Sequence, residues 1–348
     1  MKREESKDAL EAMESVLEAS GPKLRKKNFF EKNFLPLKTD SKREKRRKII
    51  FDIAVFVMFI SVLVLLWFYV IDPGIAKSKS AKLQGIHGDA IVDMTTPDGG
   101  YIQAPAEAEQ RRLTYTALKA RNPEYVGWLS IPGASVELPV VQTGDNKTYL
   151  KKDFDRMSSN YGNPFLDYRN SQALDDANLI IYGHHMHDGK IFASLTNYET
   201  KATLSKYPII SLELEDATLR YKIVAVLKTN GSPQEDNGYV FHFDTPNFKS
   251  EENFNGYVEQ LKQRTLFYTS TEGVDIQYGD RLLSIQTCLY QYENEFLVIV
   301  GRLLREGEDP NIPADQVHHN PNIRYAQAWY NKYNKGVNPW KNKERWYP

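Results

Sequence analysis

One cysteine occurs in the 348 residues, Cys288, inside Leu282–Tyr290 (LLSIQTCLY). The aliphatic and β-branched run up to Thr287-Cys288 predicts a strand, and Gln291, Glu293 and Asn294 predict the turn that leads back into a second strand at Phe296–Leu304. A sulfur at the mouth of a strand can face a cleft; the bland use of a lone cysteine is as a small buried hydrophobe. A second predicted strand-end, Asn178–Gly183 (NLIIYG), runs straight into His184. A thiol with a pKa of ~8.5 is barely ionised at neutral pH, so an imidazole that takes or shares its proton supplies the reactive thiolate. Cys288 and His184 are therefore the candidate nucleophile and acid–base pair. His185, His187 and Asp188 follow on the next turn and, with His184, suggest a metal-hydrolase alternative. Their spacing misses the H-x-H-x-D-H pattern, and no later ligand set is evident. A single cysteine also excludes an intramolecular disulfide and a multi-cysteine zinc site. No cofactor or metal is expected. His87, His242, His318 and His319 have no motif around them and read as surface positions.

The elements that would position this pair read as short strands at Val126–Ile131, Val136–Val141, Pro164–Tyr168, Leu179–Tyr182, Ile209–Leu214, Leu219–Lys228, Arg281–Thr287 and Phe296–Leu304. Pro132-Gly133, Gly144-Asp145-Asn146 and Asn230-Gly231 supply turns between them. Helical spacing occurs at Glu107–Arg121, around Lys190–Tyr198, and from Pro246 to Gln263. Many short strands with occasional helices predict a mixed, mostly antiparallel barrel of about 200 residues. Residues 309–348 are rich in Asn, Lys, Tyr and Trp, and Tyr325–Tyr333 could be helical; their aromatic content suggests a lid over the cleft.

The N-terminal part is different. Charges balance overall, 45 basic against 45 acidic, so no whole-protein field points to nucleic acid. Twelve Lys and Arg nevertheless crowd Lys23–Lys48. The 23 residues Ile49–Ile71 that follow are apolar apart from Asp52, Ser61 and the Tyr69 hydroxyl. As a helix they would reach about 34 Å, enough to cross a bilayer. The positive charge before the span predicts a cytoplasmic N-terminus and a catalytic domain outside the cell, and the basic tail can also touch membrane lipid. Asp72-Pro73-Gly74 is expected to end the helix. Met1–Ser20 could form a short amphipathic helix. The organisation is thus a basic tail (1–48), a transmembrane helix (49–71), a linker (72–106), a catalytic domain (107–308) and a C-terminal extension (309–348).

From Asn122 to Leu304 the chain resembles the sortases, membrane-anchored cysteine transpeptidases of Gram-positive bacteria, and within them class B. The blocks that carry the resemblance are NPEYVGWLSIPG (122–133), LPVVQ (138–142) with Gly144-Asp145-Asn146 and Tyr149-Leu150, FLDYRN (165–170), IIYGHHM (180–186) with Asp188-Gly189 and Phe192, and Ile285-Gln286-Thr287-Cys288. The long helix before the cysteine strand also suits class B. The resemblance implies an eight-stranded sortase-type β-barrel and acyl transfer in two steps. Cys288 would attack the carbonyl of a C-terminal LPXTG-like or NPQTN-like sorting motif on a surface protein or pilin, giving a thioester. An amine on a peptidoglycan precursor or a pilin lysine would then take the acyl group, with His184 as general acid and then general base. One position departs from the pattern. The family carries an arginine early in the strand after the cysteine, and a gapless alignment puts Phe296 in its slot, with Arg302 six residues further along. Another cation, backbone N–H groups, or a slow or inactive enzyme would follow. The alternative is therefore a catalytically weak or inactive membrane-tethered scaffold.

Overall fold

The strand pattern closes into a barrel. A computed structural model of the chain describes residues 28–89, 107–269 and 273–348; the expected helix at Met1–Ser20 lies outside these. The strands are β1 (Tyr125–Ile131), β2 (Val136–Val141), β3 (Phe165–Leu166), β4 (Asn178–Tyr182), β5 (Ile209–Glu213), β6 (Thr218–Asn230), β7 (Phe267–Tyr268), β8 (Leu282–Leu289), β9 (Glu295–Leu303) and β10 (His318–His319). Eight of them form a closed barrel in the order β1-β2-β3-β4-β8-β9-β6-β5, and β7 and β10 pair separately. The β2/β3 and β4/β8 pairs are parallel and the remaining barrel pairs antiparallel. All eight sequence-predicted strands are present.

Period-two alternation assigns the faces. Along β8, Leu283, Ile285 and Leu289 join the barrel interior with Leu297 and Ile299 of β9. Leu282, with Val298 and Val300 of β9, faces outward into a second core. A helix covers that outer face at Glu251–Arg264, where Phe254, Tyr257, Val258 and Leu261 recur at the spacing that makes one apolar stripe. Ser250 caps it by accepting from the Asn253 N–H at 3.1 Å.

The apolar N-terminal helix is present and runs Lys42–Leu66, opened by a capping box of Ser41 and Glu44. It is long and apolar enough to cross a membrane. The helix does not stop at Asp72-Pro73-Gly74 as expected. A π-helical turn spans Trp67–Ile71, and an α-helix continues over Asp72–Asp89. Proline lacks an N–H and its ring crowds the carbonyl four residues back. The wider π-turn, with the Asp72 N–H donating to the Trp67 carbonyl, leaves room for Pro73 in the first turn of the next helix.

The described residues fall into two compact units, one ending at Gly74 and one covering Ile75–Pro348. The first part of the expected linker is therefore packed helix within the second unit. Leu83 is buried in a cluster with Leu118, Tyr125 and Trp128, and His87 stacks on Trp128 at 4.1 Å. His87 is thus half-buried rather than a surface residue.

The C-terminal residues belong to the same unit as the barrel. Ile312 and Val317 enter the barrel core. Trp346 is 7% exposed and enters the outer core, where its indole N–H donates to the Asn253 carbonyl at 2.8 Å. A short helix at Gln327–Lys332 brings Tyr333 to the turn after β8, where its hydroxyl donates to Gln291 Oε1 at 3.0 Å.

Candidate active site

Cys288 is the penultimate residue of β8 and the only one of that strand that is not fully buried. It lies on the outward face with Gln286, beyond the part covered by the long helix. Burial raises the thiol pKa above its ordinary value, and a hydrogen bond from Gln286 opposes part of that rise. The resting sulfur is therefore protonated at neutral pH, and a base is needed for it to attack.

β4 leads to the other candidate residue, His184. It runs parallel to β8 with Tyr182 beside Gln286. The pairing continues past the strand: the Gly183 N–H donates to the Gln286 carbonyl at 3.2 Å, and Thr287 Oγ1 donates to the Gly183 carbonyl at 2.9 Å. The next step along both chains sets the backbone of His184 beside that of Cys288. The strand-ends are adjacent, whereas no hydrogen bond among the described residues joins the two side chains. The imidazole is aimed away from β8. Its Nε2 lies 2.9 Å from the Leu150 carbonyl, and because a carbonyl only accepts, Nε2 carries the proton and Nδ1 is left as the basic nitrogen. Gly162 makes room for the ring. Its φ is +63°, and a Cβ there would sit 2.4 Å from the Tyr149 carbonyl oxygen and 3.1 Å from His184 Cδ2. Nothing in the sequence around Gly162 signals this role.

The other two histidines line the neighbouring turn. His185 bridges to Ile191, and its carbonyl accepts from the Tyr290 hydroxyl at 2.7 Å. Its Nδ1 is buried without a partner among the described residues, and burial lowers its pKa against an opposing hydrogen bond to the Cys288 backbone. His187 stacks on the Tyr290 ring at 4.8 Å. Asp188 is engaged by Tyr161 at 2.7 Å and Lys190 at 3.0 Å. Among the described residues no group of three or more His, Cys, Asp or Glu side chains could hold a metal ion.

Directly across from Cys288 on β9 stands Phe296, the residue that the gapless alignment puts in the arginine slot. Paired residues share a face with Cβ atoms about 4.5–5.5 Å apart, so a phenyl ring flanks the sulfur. The ring rests on Gly231, where an added Cβ would come within 2.4 Å of it, and meets Phe243 edge-on at 6.5 Å. Arg302, Lys228 and Arg169 are engaged elsewhere. Arg302 is fully buried at the far end of β9, bound to Asp275 at 2.9 Å and Glu308 at 2.6 Å. Lys228 lies opposite Leu297 on the interior face and is paired with Glu199 at 2.7 Å. Arg169 is locked between Asp167 and Asp244.

Sequence reasoning missed one buried acid. Glu295, beside Phe296 and opposite Leu289, is fully buried. Burial pushes its pKa up to about 7, with Lys228 pulling the other way. It accepts from the Gln291 N–H at 3.2 Å and so helps to hold the turn that follows Cys288.

Comparison with known proteins agrees with this fold. No protein-family model matches the chain. Sortase B of Listeria monocytogenes is 32% identical over 189 residues, covering 54% of this chain and 72% of the relative. Among solved structures, the Staphylococcus aureus sortase B–substrate complex superposes with a TM-score of 0.54 and 21% identity over 68% of this chain and 100% of that one. A sortase B complexed with triglycine gives 0.55 and 21% over 68% and 100%. These two likenesses show the fold. With a barrel of this topology and 32% identity across most of a curated relative, the chain belongs to the class B sortases.

Proposed function

We propose that this chain is a membrane-tethered cysteine transpeptidase whose nucleophile is Cys288 and whose acid–base residue is His184. The observation that supports the reading is the parallel β4/β8 register, which pairs Tyr182 with Gln286, two residues before His184 and Cys288 respectively. Cys288 Sγ attacks the carbonyl of the scissile peptide bond in a sorting motif of the LPXTG or NPQTN kind. The His184 ring leaves the Leu150 carbonyl, turns toward β8 and takes the thiol proton. The tetrahedral adduct collapses to a thioester as the imidazolium protonates the leaving amine. An incoming amine, from a peptidoglycan precursor or a pilin lysine, gives its proton to the same ring and releases the acyl group. The triglycine and substrate complexes of other sortase B proteins support both halves of this cycle. With Phe296 in the arginine slot, stabilisation of the oxyanion falls to backbone N–H groups.

The proposed organisation keeps an anchor and a barrel domain, with residues 75–89 joined to the second unit. The apolar helix anchors the protein, the basic run before it keeps the N-terminus cytoplasmic, and the barrel works outside on surface proteins or pilins. The test is turnover of a panel of sorting-motif pentapeptides with triglycine as acceptor. Product from the native chain and none from Cys288→Ala supports the reading; equal product from both removes it. A folded chain inert toward every peptide would favour the scaffold alternative.

A further inference from the structure

We propose that residues 28–41 form an interfacial foot that inserts its aromatic rings into the bilayer surface and grips anionic phospholipid beside the span. The segment folds back along the first turns of the apolar helix. The Leu35 N–H donates to Asp52 at 3.2 Å, an Arg47 N–H donates to the Lys32 carbonyl at 3.2 Å, and Lys48 pairs with Asp40 at 2.7 Å in a buried contact. Phe34 meets Phe51 edge-on at 5.0 Å. These ties fix the foot at the level of Asp52, three residues or roughly 4.5 Å into the apolar run at ~1.5 Å per residue, and explain how a carboxylate is tolerated there. Leu35 turns the chain with a φ of +44°, a conformation that costs a bulky residue and persists only where its surroundings hold it.

What this fold leaves outward is apolar. Phe29, Phe30 and Leu35 are 67%, 69% and 74% exposed, and Phe30 meets Phe29 edge-on at 5.8 Å and Phe34 at a tilt at 5.5 Å. Neighbouring Ile49, Ile50 and Ile53 of the helix are exposed in the same way. A patch continuous with the membrane-crossing surface is covered by what covers that surface, at the depth where aromatic rings favour the headgroup boundary. One turn away, Lys42, Arg43 and Arg46 are exposed, while the nearby Glu44 carboxylate is drawn into the capping box. Cations beside an interfacial apolar face select anionic headgroups. This rests on the membrane span proposed above.

The full chain, in a Cys288→Ser background, is reconstituted in nanodiscs of phosphatidylcholine and phosphatidylglycerol with a nitroxide at Phe30→Cys, Leu35→Cys, Thr39→Cys or Ile60→Cys. The labels at 30 and 35 are expected about 5–10 Å below the phosphates, accessible to oxygen and shielded from aqueous nickel, with 39 in water and 60 deep. Asp52→Asn is expected to release label 35 toward water. Phosphatidylglycerol is expected to be enriched around the chain, and Lys42→Gln/Arg43→Gln/Arg46→Gln to remove that enrichment. A deep label 60 with labels 30 and 35 in water, or broadened by a second copy, overturns the foot. An absence of lipid selectivity overturns the headgroup grip. A label 60 in water overturns the span itself.

Discussion

Replacing Phe296 by arginine tests how this site manages without the family's cation. The side chain is directly opposite Cys288, so a guanidinium there would lie on the sulfur's face within reach of a developing oxyanion. Losing one oxyanion donor typically costs about 10²–10³ in rate. Gaining one at a half-buried position, where water screens it, should return less than that range, about tenfold in kcat. The ring it displaces packs on Gly231 and Phe243. Burying a whole phenyl is worth roughly 1.5–3 kcal/mol, so a half-buried one is worth about 1 kcal/mol. For a unit of this size that lowers Tm by about 2–4 °C. Phe296→Ala gives a comparable loss of packing without the cation. Peptide hydrolysis and transfer to triglycine, followed beside thermal unfolding, separate the two effects. Phe296→Arg should outpace both the native chain and Phe296→Ala despite its lower Tm. If Phe296→Arg and Phe296→Ala are equally fast, or the folded arginine variant is slower than native, the slot does not face the reacting carbonyl.

Three further outcomes follow from the surroundings of the site. Glu295 holds its proton up to about pH 7 when folded, against an ordinary value of 4.5. Its contribution to stability is therefore full below pH 4.5 and lost as the pH rises through 7. Urea unfolding should show about 2–3 kcal/mol less stability near pH 8 than near pH 5 from this group, and Glu295→Gln should flatten that slope; an unchanged slope would place the titration elsewhere. Gly162→Ala puts a methyl against Tyr149 and the His184 ring at a positive φ, so it should lower kcat more than KM; unaltered kinetics would show that the ring needs no such cradle. Trp346→Ala empties a buried site between the long helix and the outer core, which should cost about 3–5 kcal/mol in chemical denaturation. A loss below about 1 kcal/mol would return the C-terminal residues to the role of a loose flap.

The barrel was legible because its strands alternate cleanly and are separated by turn residues such as Pro132-Gly133 and Asn230-Gly231. The adjacency of the two strand-ends that carry Cys288 and His184 was legible because both follow apolar strands whose ends carry family motifs. Phe296 was legible because the segment from Asn294 to Arg302 needs no gap. What escaped depends on contacts distant in sequence. Pro73 reads as a stop, yet a π-turn accommodates it. Trp346 reads as part of a polar tail, yet it meets Asn253 of the long helix and, through its backbone carbonyl, the Tyr239 hydroxyl at 3.1 Å. Glu295 reads as a turn residue because strand register alone decides that it points inward. The orientation of the His184 ring depends on the Leu150 carbonyl, 34 residues earlier, and local spacing carries no trace of it.

The central claim is that Cys288 carries the acyl group, and intact-mass spectrometry of the protein during turnover measures it. Incubation with a matching sorting-motif peptide and no acceptor should add the mass of the peptide's N-terminal acyl fragment, mapped to Cys288 and released by hydroxylamine or triglycine. Turnover of the same peptide with no adduct on Cys288, or with full activity in Cys288→Ala, would contradict the account.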